Sequence, residues 1–320
     1  MSRRGRRSSG TAPASGLADA VLLIDKPEGK TSYETISAVR RLTGAAKTGH
    51  AGTLDRFASG LLVACNGRFT RLARYLLEDD KSYSGTVKLG VSTDTDDREG
   101  AVIDTRPAGG ITREAVISAA REFTGEMMQT PPRYSALKIN GRRASDRVRS
   151  GEDVALSPRK VTVHDFIIDD VDLEGARFSF RVRCSKGTYV RSLARDMGDR
   201  LGTGAHLESL RRTGAGPFRI EDAITLDGLG AYVQEGGAPV GRGFIVSPAE
   251  ALRDYGRIIV NTDARERIAH GTAFPRDGAV KIVDKKGKIF IIIDETENLI
   301  AIADVDIQKW LIKYLAVFAE

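Results

Sequence analysis

Asp55 ends Gly49-His50-Ala51-Gly52-Thr53-Leu54-Asp55, a stretch that brings a histidine and a carboxylate to one glycine-flanked turn. A carboxylate held there faces a bound ligand with little side-chain bulk around it, as general-base or nucleophilic chemistry requires. The same composition also serves an Asp that only bonds neighbouring backbone, so the turn needs company before it signifies a site. Other chemistries fail on spacing. Gly29-Lys30-Thr31 lacks the glycine a phosphate-binding loop needs at position 24, where Ile24 stands. In Asp94-Thr95-Asp96-Asp97-Arg98-Glu99-Gly100, Arg98 replaces a calcium ligand and Glu99 takes the glycine position, which leaves a polar hairpin turn. His50, His164, His206 and His270 are scattered without ligand spacing, so no structural metal is expected.

Four more segments stand in fixed order around the Asp55 turn. They are Asp25-Lys26-Pro27-Glu28-Gly29-Lys30-Thr31-Ser32, Lys81-Ser82-Tyr83, Cys184-Ser185-Lys186-Gly187-Thr188-Tyr189-Val190-Arg191, and Leu210-Arg211-Arg212-Thr213 running to Gly216-Pro217-Phe218. Together they resemble the TruB family of pseudouridine synthases, bacterial enzymes that convert uridine 55 in the T-loop of tRNA to pseudouridine. Thr93-Asp94-Thr95-Asp96 with Gly100, Pro131 to Lys138, and Gly202 to Leu207 add to the likeness, which spans about residues 20–230.

The resemblance implies a reaction that breaks the bond from the base nitrogen to C1′ and remakes it through C5 of the same ring. No atom is lost, so no redox cofactor or nucleotide is needed. It implies Asp55 as the catalytic carboxylate, Arg191 as its ionic partner depressing its pKa, and Tyr83 as the ring that stacks on the base and relays the C5 proton. If the strand before Gly187 continues, Tyr189 and Arg191 project to one face. A uridine stacked in a folded loop must be extruded to be reached. The likeness assigns His50 to the vacated space, and Tyr189 and Leu210 to the uracil pocket. Lys26 and Pro27 shape and support that pocket. Arg142, Arg143, Arg147 and Arg149 would meet the RNA backbone from an insertion near 138–160. The partner implied is the tRNA T-arm, with no obligatory protein partner. Two positions depart from the family pattern. Arg56 stands where proline usually follows the aspartate and restricts its backbone, and Ser145 stands where a tyrosine is common. Rival readings are a dyskerin-like, guide-dependent synthase and a non-catalytic RNA-binding or tRNA-folding protein. The intact set Asp55, Tyr83, Tyr189 and Arg191 argues against the second.

The elements that must position these groups follow from periodicity. Val21–Asp25 reads as a short buried strand, Ser32 to Leu42 as a helix that Ser32 can cap and Gly44 ends, and Thr70 to Leu77 as helical. Tyr83–Leu89 and Ala176–Cys184 alternate as strands, Thr112–Phe123 is an amphipathic helix, and Arg191–Leu201 is helical. The fold class is α/β (α+β), a mixed sheet flanked by helices. A catalytic domain is expected over 17–251 and a small β-rich module over 252–320, placed like the PUA-type RNA-binding domain that ends TruB proteins. In that module Lys285-Lys286-Gly287-Lys288 is expected to turn Ala279–Val283 into Ile289–Ile293 as a hairpin.

Of the chain's formal charge of +6, four positive charges come from Arg3, Arg4, Arg6 and Arg7. Residues 1–16 contain no acid and almost nothing to bury, so a disordered basic tail is expected. Any nucleic-acid site on the body must then use local clusters such as Arg68/Arg71/Arg74, Arg142–Arg149 and Arg211/Arg212. Cys65 and Cys184 lie in apolar or strand-like contexts that suit buried reduced thiols, and with no membrane-length apolar run the chain reads as cytoplasmic.

Overall fold

Strand β1 (Val21–Lys26) and strand β3 (Ser59–Asn66) are nearly continuous apolar runs because both faces of each are covered. Between them come helix α1 (Ser32–Thr43) and the short strand β2 (Thr48–Ala51). Then follow β4 (Lys81–Leu89), α2 (Arg113–Glu122), β5 (Gly125–Gln129), β6 (Arg159–Asp172), β7 (Arg177–Cys184), α3 (Val190–Arg200) and β8 (Ala205–Ala215). The computed structural model describes residues 16–135, 137–139, 141–236, 243–285 and 287–319, so almost all of the expected 1–16 tail lies outside the described residues. The main sheet runs Ile224–Thr225, β1, β3, β8, β4, β7, β6, β5, with β2 on β3. It is mixed: β8 lies parallel to β3 and antiparallel to β4.

Helix α1 is capped by Thr31 rather than Ser32. The Thr31 hydroxyl accepts from Glu34 N, Glu34 reaches back to Thr31 N, and Gly44 closes the other end in the left-handed region. That frees Ser32 for another task. Its buried hydroxyl accepts from Leu54 N at 2.8 Å and donates to Leu54 O at 3.1 Å, latching the Asp55 turn to the helix.

Gly60 lies where β3 meets β8, at φ +103°, and a Cβ there would stand 2.3 Å from the Arg212 carbonyl. Gly60→Ala therefore forces apart the two strands that carry the site. It is expected to destabilise the fold by about 3 kcal/mol or more, read as a drop in thermal unfolding temperature.

After β8 come β9 (Gly256–Val260), α4 (Thr262–Ala269), β10 (Ala279–Val283), β11 (Ile289–Asp294), β12 (Leu299–Asp306) and β13 (Leu311–Val317). Their five-stranded sheet has the order β10, β9, β11, β12, β13. The hairpin expected between Ala279–Val283 and Ile289–Ile293 does not form. Strand β9 lies between those strands, antiparallel to β10 and parallel to β11, because its Ile258 and Val260 belong to the same buried layer. Strand β11 is apolar on both faces for a matching reason. Ile291 and Ile293 join the core under β1 and β3, while Phe290 and Ile292 pack in a second core with Ile268 of α4.

The basic cluster Arg68/Arg71/Arg74 packs along the C-terminal strand while Arg71 and Arg74 stay exposed to solvent. Arg68 donates to Phe318 O at 3.0 Å, Arg71 to Val317 O at 2.8 Å and Arg74 to Leu315 O at 3.5 Å, and Arg71 stacks over the Phe318 ring. These arginines fasten the edge of β13 to the main body.

Candidate active site

A cavity of about 330 Å³ opens between the Asp55 turn, β4, β8 and the segment leading into α3. Asp55, Tyr83, Tyr189, Arg191, Leu210 and Arg212 line it. The structure thus brings together every predicted catalytic residue and two of the three further substrate-pocket residues. His50 is the exception: it sits on β2, two residues before the lining Gly52, and is not itself among the lining residues. Burial and the Arg212 charge lower its pKa, so its ring is neutral near pH 7.

Arg191 reaches the cavity by a different route from the one expected. Strand β7 ends at Cys184, Tyr189 is the N-cap of α3, and Arg191 is the second residue of that helix, so the two side chains share no strand face. The guanidinium is buried, and its planar fork grips Asp55 through Nε–Oδ2 at 2.9 Å and Nη2–Oδ1 at 3.3 Å. Its remaining donors go to Thr95 O at 2.8 Å and Tyr134 O at 2.9 Å, with Asp97 Oδ2 at 3.5 Å. Asp97 and the Thr95 carbonyl come from the Asp94–Gly100 turn, for which the sequence suggested no contact with Arg191. Gln129, at the end of β5, completes the mounting. It donates to Tyr189 O at 3.1 Å and accepts from Tyr189 N at 2.8 Å.

The turn on the far side of Asp55 is held without the usual proline. Arg56 O accepts from Gly29 N at 2.9 Å, and Arg56 Nε donates to Gly29 O at 3.0 Å. The ammonium of Lys26, fully buried, donates to the carbonyls of Pro27, Lys30 and Arg56. Desolvation lowers its pKa to about 8 against the attraction of Asp55. Hydrogen bonds here do the restraining that a proline ring would do by covalent geometry.

Arg191 does not depress the Asp55 pKa on balance. Desolvation raises it above the ordinary carboxylate range and outweighs the lowering by Arg191, while Asp97 raises it further. Since 39% of the Asp55 side chain is still open to the cavity, a ligand filling that space completes the desolvation. Burial likewise raises the Tyr83 pKa despite the neighbouring Arg212, so its hydroxyl is protonated at neutral pH.

Two clusters proposed from sequence as RNA contacts look different in place. Arg211 is taken up by Asp25 through contacts of 3.0 and 2.8 Å, and Arg212 is buried in the cavity wall. In the insertion, Arg142 and Arg147 share Glu152 at 2.8 and 2.7 Å, and Arg149 lies 3.9 Å from Asp146. The Arg143 side chain lies outside the described residues. Among the described residues no group of His, Cys, Asp and Glu gathers as a metal site, and no helix is long and apolar enough to cross a membrane.

Comparison with known proteins puts this arrangement among the pseudouridine synthases. The family model "TruB family pseudouridylate synthase (N terminal domain)" matches residues 40–190, and that of the "tRNA pseudouridylate synthase B C-terminal domain" matches 191–252. A Thermobifida fusca protein named tRNA pseudouridine synthase B is 48% identical over 221 residues, covering 67% of this chain and 75% of its own. One of the same name from Burkholderia lata is 42% identical over 284 residues, 88% of this chain and 86% of its own. Among solved structures, a Cbf5–Nop10–Gar1 complex aligns with a TM-score of 0.72 at 27% identity, over 95% of this chain and 84% of that one. The chain belongs to the TruB family.

Proposed function

We propose that this protein isomerises uridine 55 in the T-loop of tRNA to pseudouridine, acting on an extruded nucleotide. The observation that carries the reading is the Asp55–Arg191 fork at 2.9 and 3.3 Å opening on a cavity walled by Tyr83, Tyr189 and Leu210. Asp55 acts at the sugar–base junction, Arg191 orients it, and Tyr83 stacks on the base and relays the C5 proton as a neutral phenol. Tyr189 and Leu210 bracket the uracil ring, and His50, neutral and beside the cavity, fills the place the base leaves. Arg142, Arg143, Arg147 and Arg149 position the stem backbone, which requires phosphate to compete with Glu152 for two of them. Residues 17–251 form the catalytic domain, and 252–320 a PUA-type module that assists RNA binding. The buried free thiols Cys65 and Cys184 fit a reducing cytoplasm. The chemistry as read calls for no cofactor.

An isolated T-arm hairpin is therefore expected to be modified at a single uridine by the purified protein alone, because pocket and backbone contacts address one loop and a short stem. Inactivity on both the hairpin and full tRNA, with activity on adding a guide ribonucleoprotein, would transfer the chain to the dyskerin-like, guide-dependent reading.

The pH profile follows from the sign of the Asp55 shift. The reactive form is the carboxylate, and a raised pKa means that ionisation is lost, as pH falls, earlier than for a free Asp. The acid limb of the single-turnover rate should sit above the ordinary carboxylate range, and higher for kcat than for kcat/KM because bound uridine completes the desolvation. An acid limb at or below the free-Asp value in both profiles would contradict this.

A further inference from the structure

Arg212 is the largest fully buried side chain of the described residues, only 1% exposed, and it forms part of the cavity wall. Its Nε donates to Leu61 O at 2.6 Å, Nη2 to Gly52 O at 3.1 Å and Nη1 lies 3.5 Å from Thr53 O. Among the described residues no carboxylate pairs with it, whereas Arg211 beside it has Asp25 and Arg191 across the cavity has Asp55 and Asp97. A buried cation that meets only carbonyls and the neutral Tyr83 hydroxyl, with no carboxylate beside it, is costly to keep, which calls for a negative charge that arrives later. Its charge is felt around the cavity: it contributes to lowering the pKa values of Lys26, His50 and Lys81 and works against the rise at Tyr83.

We propose that Arg212 stabilises the negative charge that develops on the uracil ring once it is detached from the sugar. The inference rests on the function proposed above. In that reaction the C1′–N1 bond breaks with its electron pair passing to N1, and the charge spreads to O2 and O4. C5 then supplies the pair for the new C1′–C5 bond, the C5 proton leaves to a base, and N1 ends protonated. No electron is gained or lost. Arg191 cannot take this role, since its fork is committed to Asp55 and its other donors to Thr95 O and Tyr134 O. Leu210 and Arg212 lie two apart on β8, so the residue bracketing the ring and the cation facing it share one face of the strand. A fixed charge of this kind requires no reorganisation when the bond breaks.

The test uses the whole protein and T-arm hairpins bearing either uridine or 5-fluorouridine at the target position. Fluorine makes the detached ring a more stable anion, and it blocks the final loss of the C5 proton. Disappearance of the starting nucleoside in a single turnover therefore reports the bond-breaking step. Arg212→Met is expected to lose roughly 10²-fold on uridine. Its loss on 5-fluorouridine should be several-fold smaller, because the better leaving group needs less help. Arg212→Lys, which retains the charge, should recover at least about tenfold of that uridine loss. A purely structural hold on Gly52 and Thr53 would slow both substrates by the same factor, and equal losses overturn the proposal. So does wild-type turnover of uridine by Arg212→Met. Should the Met variant fail to fold, the same comparison of the two substrates in Arg212→Lys decides: a smaller loss on 5-fluorouridine supports the role, and an equal loss ends it. Wild-type protein inert on both hairpins and on tRNA would instead bring down the function on which the inference rests.

Discussion

Asp55→Asn is expected to bind tRNA within a few-fold of the parent and to lose conversion by roughly 10⁴-fold or more. The amide keeps the carboxylate's shape and removes its charge and basicity. The scaffold around it should survive, because Arg191 retains Asp97 and the carbonyls of Thr95 and Tyr134, and Leu54 remains latched to Ser32. Loss of activity can then be separated from loss of fold by pairing a tRNA-binding titration with pseudouridine formation in a single turnover. Substantial conversion by pure Asp55→Asn would remove this residue from the reaction.

Arg191→Lys conserves charge and is nonetheless expected to cost roughly 10²- to 10³-fold in kcat. One ammonium cannot span two carboxylates and two carbonyls that the guanidinium meets in one plane and its edges. Buried acceptors left without a donor also weaken the fold, by about 1–3 kcal/mol each where water cannot enter. A lowered unfolding temperature should therefore accompany the slower turnover. Parent-like kcat in Arg191→Lys would show that charge alone suffices and that the fork geometry is incidental.

The residues that meet at the cavity were legible because each stands in a short segment whose order along the chain carries information. Asp55, Tyr83, Tyr189, Arg191 and Leu210 all arrive where that order implies. The mounting beneath them was not legible. Gln129 has no local signal, since its partners are the backbone N and O of Tyr189, 60 residues away. Asp97 looked like one of several acids in a polar turn, and only tertiary packing shows that it is buried against Arg191. Arg212 was read with Arg211 as a surface pair, although its spacing from Leu210 would have placed it in the pocket wall. Bulges at Leu207/Ser209 and Arg212/Gly214 bracket the regular stretch that holds Leu210 and Arg212, so the alternation along β8 as a whole does not announce its phase. The direction of the Asp55 shift was misjudged for a related reason: a pairing partner can be named from sequence, but the water that burial removes cannot. The C-terminal sheet failed at topology rather than composition, since a turn-like Lys/Gly segment does not reveal that a third strand runs between its neighbours.

The outer face of β6 and β7 carries a ladder of paired charges, Arg177 with Asp172, Arg181 with Asp169 and Arg183 with Asp165. Arginines so matched attract few mobile anions, and an RNA phosphate that approached them would have to compete with a fixed carboxylate. The release of counterions that drives nucleic-acid binding counts only charges the protein has not already compensated. The dependence of tRNA affinity on salt concentration should therefore be much shallower than the 49 basic residues of the chain would suggest. Neutralising Asp165, Asp169 and Asp172 together would steepen it, giving the protein a second, unselective hold on RNA. The ladder is in this sense an insulator, keeping the polyanion off a broad flank of the sheet and leaving the cavity face to receive it.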